Sequence, residues 1–138
     1  MNRNIKLFLT SLIFLTTTSV SSQTVSEKGI ASIELDRTTC REGRPTDRNK
    51  HFEAIDKAKK SAWEKYVSTL SSDRSNAYYA SEQTFLSELD NYITDYVILT
   101  TDCSKTDRNY TISIRVNINE SRLNNKLITG SKMNLAVI

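Results

Sequence analysis

The segment from Tyr110 to Ile118 constrains the fold more than any other part of the chain. Polar residues separate its apolar residues one by one, which places Tyr110, Ile112, Ile114, Val116 and Ile118 on one face. A period of two is typical of a β-strand with one buried face and one solvated face. A buried strand face needs neighbouring strands and a covering layer. We therefore expect a sheet with helices packed on one side.

Two further segments predict strands. Residues 29–35 alternate, with Ala31, Ile33 and Leu35 on one face. Residues 93–101 contain the unbroken apolar run Tyr96–Leu99, which predicts a strand buried on both faces. The polar turn between this strand and the strand 110–118 is short, so the two should form an antiparallel hairpin.

Helical spacing of apolar residues covers residues 52–70, and Asp47 or Asn49 can cap the start of this helix. Its alanines at 54, 58 and 62 should let a neighbouring element approach closely. A second helix is predicted over residues 77–91. A third helix should begin after the capping residue Asn119 and end at Gly130.

The predicted order is β-α-α-β-β-α, with an optional final strand. This order predicts an α+β fold, a two-layer sandwich with helices on one face of a small mixed sheet. Residues 23–28 are polar and predict a flexible leader, and residues 29–130 predict a single domain. Residues 131–138 predict a terminal strand or the start of a further segment.

Residues 1–22 have the pattern of a secretory signal peptide. Arg3 and Lys6 precede the apolar stretch Leu7–Leu15, and small residues before Gln23 fit a cleavage site. A transmembrane helix needs about 20 apolar residues, so no membrane span is expected in the mature protein. The expected location is the periplasm, or outside the cell.

If the protein is exported, its two cysteines should have a structural role, because pairs of cysteines in oxidising compartments usually form disulfides. Cys40 and Cys103 each follow a predicted strand by a few polar residues. If these strands run parallel, their carboxyl ends meet at one edge of the sheet, within the Cα separation that a disulfide allows. The sequence therefore predicts a Cys40–Cys103 disulfide.

The net charge of the chain gives no support for nucleic-acid binding, which we do not expect. Of 19 basic residues, Arg3 and Lys6 lie in the predicted signal, which leaves 17 basic and 16 acidic side chains. Affinity for phosphates rests on clustered positive charge. The short lysine run at 57–60 is flanked by acidic residues, as on a solvated helix face.

Few residues have the pattern of a catalytic site. His51 is the single histidine and lies near a predicted helix start, where a surface or capping role is expected. The carboxylate pairs Glu34/Asp36 and Glu88/Asp90 are expected to be solvated. Nucleophile-elbow, phosphate-loop and zinc-protease motifs do not occur in the sequence. We therefore expect no catalytic, cofactor-binding or metal-binding residues, and the tyrosines should pack in the core or form a partner surface.

Three segments resemble the N-terminal domain of flagellar assembly protein T and related exported bacterial proteins. They are the helix AIDKAKKSAWEKYV, the strand segment YITDYVILTTDC and the strand and helix YTISIRVNINESRLNNKL, and the resemblance covers about residues 32–127. The resemblance implies a periplasmic interaction or assembly module in an envelope complex of the flagellar-ring type. Its partner would be an envelope protein or a second copy. The alternative function is a small exported hydrolase or ligand-binding protein.

Overall fold

A computed structural model describes residues 23–36 and 39–135 of the chain. The predicted signal peptide 1–22 and the last three residues of the predicted terminal strand lie outside these residues. The elements in chain order are β1 (Thr24–Glu34), β2 (Cys40–Arg41), β3 (Arg44–Pro45), α1 (Arg48–Val67), α2 (Ser72–Tyr79), α3 (Glu82–Ser87), α4 (Leu89–Tyr92), β4 (Ile93–Ser104), β5 (Asn109–Asn119) and α5 (Glu120–Leu135).

The main sheet has three strands in the order β1-β5-β4, and helices pack on it. Both ladders are antiparallel, and β5 pairs along its whole length with β1. The fold is therefore α+β, as the sequence predicts. Strands β1 and β4 run in the same direction on the two sides of β5, so their carboxyl ends lie at one end of the sheet.

The alternation that identified β5 in the sequence places its apolar face at the centre of the core. Tyr110, Ile112, Ile114, Val116 and Ile118 are all fully buried. The opposite face of β5 is polar and includes the exposed Arg115. One face of the sheet is therefore covered by helices, and on the other, outer face the side chains of β5 are polar.

Helix α1 lies against β1 and β5 at unusually close range. Asp47 caps the helix, since its side chain accepts a hydrogen bond from the Asn49 backbone N–H. The predicted alanine stripe is fully buried. Opposite it lies Gly29 of β1, where a Cβ atom would fall 1.9 Å from the carbonyl oxygen of Ala58. The small residues of α1 and the missing side chain of Gly29 together set the separation of helix and sheet.

The predicted second helix over residues 77–91 is wrong as a single element, because three short helices α2, α3 and α4 cover this region. The backbone leaves helical geometry at Ser81 and Glu88. These breaks direct Tyr78, Phe85 and Tyr92 inward, to form one aromatic cluster with Trp63. Burial of four large rings outweighs the continuity of a helix that has little intrinsic regularity.

The flexible leader is also a wrong prediction. Residues 24–28 belong to β1 and pair with residues 115–119 of β5. Their side chains are mostly polar, but the backbone pairs with a central strand that extends this far. Val25 also packs against the core. The length of β1 is set by its partner strand β5, and the sequence of residues 23–28 alone does not show this.

The end of the described chain differs from the prediction as well. Helix α5 begins as expected, since the Asn119 side chain accepts a hydrogen bond from the backbone N–H of Arg122. It then continues through Gly130 to Leu135, so residues 131–135 are helical and not a strand. A glycine inside a helix costs only about 1 kcal/mol relative to alanine, which the rest of α5 can offset.

Strand β4 is an edge strand, and the prediction that it is buried on both faces is wrong. Val97 is 57% exposed, and Tyr96 and Leu99 are each 36% exposed. The reason is topological: β5 follows β4 in sequence but inserts between β4 and β1. A continuous apolar run cannot by itself show whether its strand becomes central or peripheral.

Candidate interaction surface

The predicted disulfide is present. Cys40 and Cys103 are bonded, with their Cα atoms 5.8 Å apart. The bond ties the β2–β3 hairpin to the end of β4, opposite Tyr110 in the central strand. Hydrogen bonds between Thr39 and Thr46 close the base of this hairpin. The disulfide therefore holds one end of the sheet together.

His51 lies in the first turn of α1 above the same end of the sheet. Its Nδ1 is 2.8 Å from the hydroxyl oxygen of Tyr110, with which it shares a hydrogen bond. Burial lowers the pKa of His51, and the positive charge of Arg44 lowers it further. Because Tyr110 is fully buried, this contact supplies its hydroxyl with a partner. The geometry gives His51 a role in joining helix to sheet.

We expect His51 to make the protein less stable in mild acid. Its folded-state pKa lies below the unfolded value of about 6.5, so the unfolded chain takes up a proton first. Stability should therefore fall as pH drops below about 6.5 and level off below the folded-state pKa. Urea denaturation at several pH values between 7.5 and 5 should show this loss. A His51→Gln variant should show a smaller loss over the same range, and an unchanged loss would contradict the assignment.

The paired carboxylates do not converge on a common site. Asp90 accepts a hydrogen bond from Lys59 at 2.9 Å, and Glu88 lies 3.9 Å from Lys126. Glu34 and Asp36 are exposed at the end of β1. Within residues 23–36 and 39–135, no group of three or more histidine, cysteine, aspartate or glutamate residues is arranged to hold a metal ion.

The most distinctive surface is the free edge of β4. We call residues Tyr96–Leu99 the β4 edge surface. Three of its four side chains are exposed, and the fourth, Ile98, is partly buried. Among the described residues, β4 pairs with β5 on one side and with no strand of the main sheet on the other. An unpaired edge with apolar side chains is a template for pairing with another strand.

The opposite edge of the sheet has a different character. The outer-face residues of β1 are polar or charged apart from one, and they include Lys28 and Glu34. Only Ile30 is a large exposed apolar residue on this strand, at 53%. Charged side chains, lysine above all, discourage pairing of edge strands. Of the two edges, β4 is therefore the one whose side chains favour association.

Contacts from α1 and α4 hold the β4 edge surface in place. The ammonium of Lys59 lies 5.1 Å from the centre of the Tyr96 ring, a cation–π geometry, and also binds Asp90. The side chain of Lys59 is only 15% exposed. Beside it runs an open groove of about 500 Å³ between α1 and α3–α4, with Leu86 and Leu89 in its wall. The contact with Lys59 therefore holds the partly exposed ring of Tyr96 in one position.

The sequence does contain a sign that the apolar run Tyr96–Leu99 lies on an edge strand, namely the aspartates on either side of it. Asp95 and Asp102 flank the apolar run at positions that face outward. Paired charges at both ends of a short apolar segment are more typical of an edge strand than of a doubly covered one. Reading these two aspartates as edge markers would have predicted the exposure.

No helix within the described part of the chain combines the length and apolarity needed to cross a bilayer. No protein-family model, no curated protein and no solved structure matches this chain.

Proposed function

We propose that this chain is a non-catalytic interaction module of the bacterial envelope, which binds another protein strand through the β4 edge surface. The observation that carries the proposal is the exposure of Tyr96, Val97 and Leu99 on an edge strand. Strand addition to such an edge gains affinity from backbone hydrogen bonds and specificity from the side chains that alternate along it.

Rigidity of the surface supports the proposal. Strand β4 is paired with the central strand β5 and is fixed at its far end by the disulfide. Lys59 fixes Tyr96 from the side. A surface that is already ordered loses little conformational entropy when it binds, which favours association.

Two features support a location in the envelope. The N-terminal sequence has the pattern of a signal peptide, and the Cys40–Cys103 disulfide suits an oxidising compartment. The resemblance of three segments to the flagellar assembly protein T domain favours an assembly role there. We propose the periplasm as the site of action.

A matched pair of variants tests the role of the β4 edge surface. Val97→Lys places a charge on β4, and Ile30→Lys places the same charge on β1, at a residue of similar exposure on the same face. Both variants should fold, because both side chains are largely exposed. Immobilised protein is incubated with periplasmic extract, and bound proteins are quantified by mass spectrometry.

We expect Val97→Lys to lower capture of a specific protein at least about tenfold, because a charge on the edge opposes strand pairing. Ile30→Lys should capture that protein as the wild type does. Equal capture by all three proteins, or loss of capture with Ile30→Lys alone, would contradict the proposed function.

A further inference from the structure

The β4 edge surface is complementary to itself. We propose that it pairs with the same strand of a second copy of this chain, so that two three-stranded sheets form one antiparallel six-stranded sheet. This inference rests on the proposed function, because it names the partner of the same surface.

The register of β4 limits how two copies can pair. The ladder with β5 is regular from Asp95 to Ile98, and register shifts lie on either side, between Ile93 and Asp95 and between Ile98 and Thr100. In an antiparallel pair, opposed residues share a face, so the two-fold axis must lie midway between one residue and the same residue of the second copy. With the axis beside Val97, residues 96–98 of the regular segment pair with each other in the two copies.

This register opposes apolar residues to one another. Val97 meets Val97 of the second copy on the outer face, and Tyr96 meets Ile98 of the second copy on the helix-covered face. Pairs of aromatic and β-branched residues are among the favourable cross-strand combinations. Asp95 is placed opposite Leu99, at the bulge, so no like charges are directly opposed.

The charges on the outer face do not oppose this arrangement, because it brings no like charges close together. Arg115 of β5 pairs with Val97, and Asp95 lies two residues away on β4; both side chains are exposed. With strands about 4.8 Å apart, Asp95 of one copy has its Cα about 12 Å from that of Arg115 in the other. The two arginines, like the two aspartates, are about 14 Å apart, beyond the screening length of about 10 Å.

The first test measures the oligomeric state of the purified protein by sedimentation velocity over a range of concentrations. The regular segment is short, so we expect a reversible dimer with a dissociation constant in roughly the micromolar range. Val97→Lys should weaken it at least about tenfold, and Ile30→Lys should leave it unchanged. Far-ultraviolet circular dichroism confirms that each variant is folded.

The second test uses the position of the axis. Directly opposed residues of an antiparallel pair have Cα atoms about 4.5 to 5.5 Å apart, within the Cα separation that a disulfide allows. Under mild oxidation, Val97→Cys should therefore give a covalent dimer, whereas Ile30→Cys should remain a monomer at the same concentration. Peptide mapping should show the bond between the two residues at position 97.

A wild-type protein that is monomeric at all concentrations would overturn the dimer, as would a dimer unaffected by Val97→Lys. If the monomeric wild type still captures another protein in a Val97-dependent manner, the dimer is wrong but the proposed function stands. If the dimer forms and cross-links through position 30, both the dimer geometry and the use of the β4 edge surface are wrong.

Discussion

Replacing Gly29 by alanine should destabilise the protein by about 3 kcal/mol or more, the upper end of the usual cost of overpacking. The added Cβ would lie 1.9 Å from the Ala58 carbonyl oxygen and 2.9 Å from the Ala62 Cβ. These are atoms of a helix backbone and of a short side chain, which cannot rotate away. Relief therefore requires that α1 move from the sheet, which opens the core along the alanine stripe.

Gly130→Ala is the matched control for this substitution. A Cβ atom at Gly130 meets nothing within 4 Å, and the residue lies inside α5. Alanine there should stabilise the protein by up to about 1 kcal/mol through helix propensity. Urea denaturation followed by the fluorescence of Trp63, which is fully buried, measures both variants. A Gly29→Ala variant with a wild-type midpoint would contradict the close packing of α1 on β1.

Removing the disulfide should lower the free energy of unfolding by about 4 kcal/mol in the loop-entropy model. Its cysteines are 63 residues apart in sequence, so the closed loop includes α1 to α4 and most of β4. The double substitution Cys40→Ser and Cys103→Ser avoids a free thiol and leaves the β2–β3 hairpin held by its threonine hydrogen bonds and its packing against α1 and β4. Urea denaturation of both proteins, with and without reductant, provides the measurement.

Reductant should shift the midpoint of the wild type towards that of the double variant and leave the variant unchanged. If reductant has no effect on a wild type whose thiols are shown to be reduced, the disulfide does not contribute to stability in the expected way. The result also bears on the β4 edge surface, because the disulfide fixes the carboxyl end of that strand.

The spacing of apolar and small residues is sufficient to predict a helix or strand wherever one face of that element is buried and the other is not. The alternation around Ile114 identifies β5 because its two faces meet different environments. The spaced alanines of α1 indicate a close approach, although they do not show that Gly29 is the residue approached. The disulfide is predicted from the expected export and from the position of each cysteine after a strand, and the structure confirms the disulfide.

The failures share a non-local cause. Whether Tyr96–Leu99 is buried depends on the strand order, which β5 determines by inserting between β1 and β4. Pairing of residues 24–28 depends on how far β5 extends. The breaks at Ser81 and Glu88 depend on Trp63, to which the aromatic residues turn. In each case the deciding contact lies far away in the chain.

The function proposed for this chain depends on the β4 edge surface being occupied by protein in the cell. Site-specific photo-crosslinking tests this directly, with a photoreactive residue at position 97 in one strain and at position 30 in another. We expect a discrete cross-linked product from position 97, either with a second copy or with another envelope protein, and little or none from position 30. Cross-linking from position 30 alone, or no product from position 97, would contradict it.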